Sequence, residues 1–98
     1  MDPWVTVLFV ATHEGRLAGT CHANDRGDGW ELDGAFVSPG KRGKGIFSAI
    51  MKQVKSEARS RGIGKLVVLP DRDASDYWKP ALDRWGFTPV EDMLIYTT

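Results

Sequence analysis

At 98 residues, 42% hydrophobic and 27% charged, the chain can bury one core but not two, and its composition argues against disorder. Thirteen basic residues balance thirteen acidic ones, which argues against a generic nucleic-acid coat or a basic membrane-surface protein; the one cysteine, Cys21, cannot form an internal disulfide. The expectation is a single domain over residues 1–98 in a reducing, cytoplasmic setting, because a lone cysteine suits such a compartment, and no apolar run is long enough to span a bilayer. The opening MDPWVTVLFV has an acid ahead of its apolar stretch and reads as a strand rather than a leader.

Residues 4–11, rich in valine and aromatic side chains, predict that first strand. Residues 16–23 predict a second, returning as a hairpin across a turn at 13–15. The polar stretch 24–29 with its two glycines is a loop. Residues 30–37 predict a third strand, with Trp30, Leu32 and Phe36 on one face and Glu31, Asp33, Ala35 and Val37 on the other. Residues 38–45, SPGKRGKG, hold three glycines and a proline and exclude regular structure. From Ile46 the period becomes helical: Phe47, Ile50, Val54 and Ala58 form one stripe, and Gly62 suits the C-cap after Arg59 and Arg61. LVVL at 66–69 is a buried strand. The crossover through the helix makes it parallel to the third strand. Residues 77–85 predict a short second helix with Trp78, Leu82 and Trp85 inward, shortened or kinked by Pro80 and ended by Gly86. Residues 87–97 return as strand, with a break near Glu91 and Asp92. The order βββαβαβ gives an α/β fold with a compact mixed sheet.

Charge is concentrated. Residues 1–40 carry two bases and six acids, residues 41–65 eight bases and one acid, and residues 66–98 three bases and six acids. A positive segment between acidic flanks suits one compact anionic ligand. FVSPGKRGKGIF leaves a strand, crosses a glycine-rich basic loop and enters a helix, and that is how an anion site is built. The first N–H groups of a helix lack internal partners and, with the dipole, attract phosphate oxygens. Gly43 and Gly45 let the backbone approach; Lys41, Arg42 and Lys44 add cationic donors; Ile46 begins the helix. A Walker A loop is excluded, since Ile46 and Phe47 stand where Lys and Ser/Thr are required. A dinucleotide fingerprint fails because Ser48 takes its third glycine.

At these residues the sequence resembles the GCN5-related N-acetyltransferases (GNAT). Their hallmark is Arg or Gln, two residues, Gly, one residue, then Gly or Ala, after a Val-x-Pro strand end; here Val37, Pro39, Arg42, Gly45 and Phe47 occupy those positions. Gly86-Phe87 matches a second recurring feature, and the resemblance spans roughly residues 16–98. It implies that the loop backbone from Arg42 to Ile46 wraps the pyrophosphate of acetyl-CoA. It further implies that Phe36 and Val37 bond to the pantetheine arm like an added strand, beside a wedge left by the splayed strand at 66–69. The cosubstrate is then acetyl-CoA, no metal is required, and the acceptor is a primary amine of a lysine, a protein N-terminus or a small molecule, attacked directly.

Three departures stand out. Phe47 replaces the final small residue of the hallmark, and by helix phase it turns into the core. The strand and two helices that the family carries before its first hairpin are lacking, so that wall comes from a second subunit in a homodimer or the site stays open to a large partner. Leu82 stands where many members have a tyrosine that protonates the departing thiolate. Tyr77 substitutes only if the Pro80 irregularity re-aims the segment, although a thiolate leaves with little help near pH 7. Glu31 and Asp33, on one face of the third strand, are the candidate bases. His22 reads as a hydrogen-bonded strand histidine and Cys21 points to the opposite face. Histidine and cysteine spacing makes no metal site. The competing reading is a catalytically inactive domain of the same fold that binds CoA or a protein; nucleic-acid binding through the basic segment is a distant third.

Overall fold

The computed structural model describes residues 6–41, 43–69 and 83–98. Its first three strands are β1 (Thr6–His13), β2 (Arg16–Asp25) and β3 (Trp30–Val37), followed by helix α1 (Ile46–Ser60) and strands β4 (Lys65–Val68), β5 (Thr88–Val90) and β6 (Met93–Thr97). They form one six-stranded sheet in the order β1-β2-β3-β4-β6-β5. β3 and β4 are parallel, and the other neighbours are antiparallel. This is the mixed α/β architecture expected, with the crossover through α1 setting the parallel pair.

β1 and β2 are joined by Glu14 and Gly15, whose φ angles of 55° and 77° give the mirror-image turn that matches strand twist. The β2–β3 loop is closed by Arg26 N–H donating to the Gly29 carbonyl at 2.9 Å and by Gly27 N–H donating to the Asp25 carboxylate at 2.8 Å. α1 ends in a Schellman motif: Gly62 at φ 72° donates to the Arg59 carbonyl, and Ile63 donates to that of Ala58.

The core lies between α1 and one face of the sheet. Ile46, Ile50, Met51, Val54 and Ala58 of the helix meet Phe9, Cys21, Ala23, Trp30, Leu32, Val37, Leu66 and Val68. Phe47, placed on the central stripe by periodicity alone, packs at the edge of this core, while Met51 is fully buried. Phe9 and Trp30 pack as a tilted pair with ring centres 6.0 Å apart. Lys55 pins the helix to the end of the chain. Its ammonium donates to the Trp85 carbonyl at 2.6 Å and lies 3.9 Å from the centre of the Tyr96 ring. Burial there, and then the neighbouring Arg59, hold the Lys55 amine below the usual lysine range.

The structure corrects four expectations. The break at Glu91 and Asp92 is a complete hairpin, so the final strand is two, β5 and β6, and the order gains a strand. Residues 39–41 form one turn of 3₁₀ helix inside the loop expected to be irregular. The first two strands run to His13 and Asp25, two residues beyond their expected ends. The faces of β3 also change partway. Thr20 pairs with Phe36 but His22 pairs with Asp33, so β3 carries an extra residue, a β-bulge. Side-chain parity flips across it. Trp30 and Leu32 face α1 before the bulge, whereas Val37 faces α1 after it and Phe36 turns to the opposite face, 48% exposed. The expected helix over 77–85 lies mostly outside the described residues, as do Tyr77, Trp78, Pro80 and Leu82.

Candidate functional site

Two features converge at the C-terminal end of β3. The first is the end of the parallel ladder: β3 pairs with β4 at Trp30, Glu31 and Leu32, and among the described residues the pairing stops at Leu32 opposite Val68. From Asp33 onward β3 bulges and continues to Val37 past the end of β4. Strands that part at their C-terminal ends leave the crevice in which open sheets bind ligands.

The second is the mouth of α1. Ser38 N–H donates to the Ala18 carbonyl at 2.8 Å and Lys41 N–H to that of Ser38 at 2.8 Å, tying the loop to β2. Gly43 and Gly45 then take φ of 80° and 77°, and a Cβ placed at either would meet nothing within 4 Å. Gly45 caps the helix in the left-handed region without a side-chain cap, and no acid stands in the first turn. Ala49 N–H closes the first turn of the helix onto the Gly45 carbonyl at 3.0 Å. Phe47, the large residue at the family's small position, packs on the core. Gly19 lets the helix come this close, since a Cβ on it would lie 3.0 Å from side-chain carbons of Ile46 and Ile50.

The site residues expected from the sequence are distributed around these features. Gly43, Lys44, Gly45 and Ile46 stand together at the mouth, with Lys44 exposed and Ile46 buried beneath. Arg42 and Tyr77 lie outside the described residues. Lys41 is directed away from the mouth. Its amine is 3.0 Å from His13 Nδ1 and 3.8 Å from Glu14 Oε2, on the turn between β1 and β2. Phe36 and Val37 follow the bulge at the C-terminal end of β3, on opposite faces.

The two carboxylates differ. Glu31 is 9% exposed, and its Oε1 accepts a hydrogen bond from Arg26 Nη1 at 2.7 Å. Asp33 is half-exposed where the ladder ends; Asn24 Nδ2 donates to its Oδ2 at 2.9 Å, and His22 Nδ1 is 3.8 Å from its Oδ1. Sequence reasoning missed Asn24 and set His22 aside. The pairing of His22 with Asp33 depends on the register with which the two strands leave the 24–29 loop, which the sequence pattern does not fix. Among the described residues no group of three or more His, Cys, Asp or Glu could hold a metal, and no helix is long and apolar enough to cross a membrane.

A mixed sheet opened beside a glycine-lined helix mouth defines the acyl-CoA N-acyltransferase class of fold. Residues 2–82 match the Acetyltransferase (GNAT) family, and the chain belongs to it. No curated protein matches the chain by sequence. Solved structures share its fold. An acetyltransferase from Bacillus cereus ATCC 14579 is 17% identical, with a TM-score of 0.74 over 98% of this chain and 75% of that one. The ribosomal-protein-S18-alanine N-acetyltransferase of Escherichia coli is 19% identical, with a TM-score of 0.77 over 94% and 68%. PaiA N-acetyltransferase of Thermoplasma acidophilum, solved with coenzyme A, is 15% identical, with a TM-score of 0.77 over 92% of this chain and 58% of that one.

Proposed function

We propose that the chain binds acetyl-CoA and transfers the acetyl group to a primary amine by direct attack. The observation that carries this reading is the open, glycine-lined mouth of α1 beside the point where β3 and β4 stop pairing. The backbone from Arg42 to Ile46 receives the pyrophosphate, with Arg42 and Lys44 adding charge. Lys41 joins them only if it leaves His13 and Glu14. The β3 backbone at Phe36 and Val37 carries the pantetheine arm toward the crevice. The fold neighbour solved with coenzyme A supports the choice of cosubstrate.

An acceptor amine reaches the enzyme as an ammonium ion and must lose a proton before its nitrogen can attack. That proton leaves on the face opposite α1, where Asp33 is accessible and Glu31 is occupied by Arg26. Tyr77 is the candidate acid for the departing thiolate.

Mass spectrometry tests the reaction. The protein is incubated with acetyl-CoA and spermidine, a lysine-containing peptide, an alanine-terminated peptide or an aminoglycoside. An added acetyl group on one of them is the expected result. Binding of acetyl-CoA without any transfer would favour a non-catalytic CoA-binding module, and no binding at all would defeat the reading.

A further inference from the structure

His22, Asp33 and Asn24 form a connected row across β2 and β3 on the face opposite α1. His22 and Asp33 are direct partners in the antiparallel ladder, and Asp33 is the residue immediately after Leu32, the last of β3 to pair with β4. Asn24 fixes one carboxylate oxygen of Asp33 at 2.9 Å, and His22 Nδ1 faces the other at 3.8 Å. The side chains of His22 and Asp33 are 43% and 48% exposed, so both are accessible from solvent at the point where the β3–β4 ladder ends. With Nδ1 turned to the carboxylate, Nε2 is the ring nitrogen left to face an incoming group.

We infer that His22 is the group that takes the acceptor's proton, with Asp33 as its positioning residue and Asn24 holding Asp33 in place. The inference deepens the acetyl-transfer reading above and rests on it. An imidazole is intrinsically a stronger base than a carboxylate and is the better acceptor for an ammonium proton. Asp33 then orients the ring and stabilises the imidazolium once it forms.

The step balances. The acceptor R–NH3+ gives one proton to Nε2, and the freed lone pair forms the C–N bond to the thioester carbonyl carbon. The tetrahedral intermediate collapses with cleavage of the C–S bond, whose electron pair leaves with sulfur. The second proton released from nitrogen goes to the thiolate, and His22 returns the first to water.

Among the described residues, the charged groups on this face around His22 are Asp33 and, two ladder pairs further along, Glu31 with its Arg26 partner. β1 places Leu8 directly opposite His22.

The experiment measures acetylation of the same four acceptors by the full chain, as wild type, His22→Gln and Asp33→Asn, from pH 6 to 10. Acetyl-CoA affinity and thermal melting are followed in parallel. For His22→Gln the expected result is a fall in kcat of about 10²-fold or more at pH 7, with unchanged acetyl-CoA affinity. That loss shrinks as pH rises, because free amine replaces ammonium and needs no base. Asp33→Asn should lose less, in the same direction. A His22→Gln enzyme within about threefold of wild type at pH 7 overturns the inference. So does a loss equal at every pH, and so does a wild type that binds acetyl-CoA yet acetylates none of the four. Failure to bind acetyl-CoA instead removes the underlying reading.

Discussion

The two faces of the sheet are built to different ends. Against α1, Cys21, Ala23, Leu66 and Val68 are fully buried, and the helix returns Met51, Val54 and Ala58 equally buried. On the opposite face of β1, β2 and β3, Leu8, Val10, Leu17 and Phe36 are about half exposed or more, and between them runs the polar row of His22, Asn24 and Asp33. Burial on one side supplies the stability that lets the other side remain open, and an open face with a fixed polar row is where chemistry can be done. The bulge in β3 belongs to both, because it turns Val37 into the core while leaving Phe36 outside.

The contrast breaks most sharply under truncation. Leu66→Ala, at a fully buried position, should cost about 2–5 kcal/mol in urea denaturation. Leu8→Ala on the open face should stay within about 0.5 kcal/mol. Equal costs would mean that the open face is covered in solution. Gly19→Ala should come next, at about 1–3 kcal/mol, because its Cβ would meet the Phe36 carbonyl oxygen at 2.9 Å and the side chains of Ile46 and Ile50 at 3.0 Å. Since it pushes on the first turn of α1, the same substitution should also weaken acetyl-CoA binding.

Lys55→Met removes the bond to Trp85 and the cation over Tyr96 and should lower stability by about 1–2 kcal/mol. The charged amine is disfavoured in the folded chain, so the unfolded chain binds more protons as pH approaches the ordinary lysine value of 10.5. The Lys55 contribution in wild type should therefore improve over that range, a rise Lys55→Met lacks. Smallest is Asp28→Asn. A hydrogen bond and the charge of Lys65 hold the Asp28 carboxyl below its ordinary value. Its contribution is present above pH 3.8 and lost as pH falls through the lower folded value, so the substitution should slightly flatten the acid side of a melting-temperature profile.

Much of this was legible in the sequence, and the misses have physical causes. α1 was readable because its signals are local: a glycine-rich entry, a helical period from Ile46 and a stopping glycine at 62. The glycine-rich loop that enters it was readable for the same reason. The break at Glu91 and Asp92 was readable, but not that it is a full hairpin, because Glu91 takes φ 57° without the glycine or asparagine that usually announces such a turn. The bulge in β3 leaves no mark on a pattern of alternating residues, so Phe36 was placed on the wrong face. The engagement of Lys41 by His13 and the pairing of His22 with Asp33 join residues on different strands and turns, brought together only by the ladder.

The central claim is that the mouth of α1 grips a diphosphate, and isothermal titration of the intact chain with acetyl-CoA tests it most directly. Wild type should bind with a Kd of about 1–100 μM, and Arg42→Ala combined with Lys44→Ala should weaken binding at least about tenfold without lowering the melting temperature. A wild-type Kd no better than about a millimolar, or a double variant that binds as tightly as wild type, would contradict it.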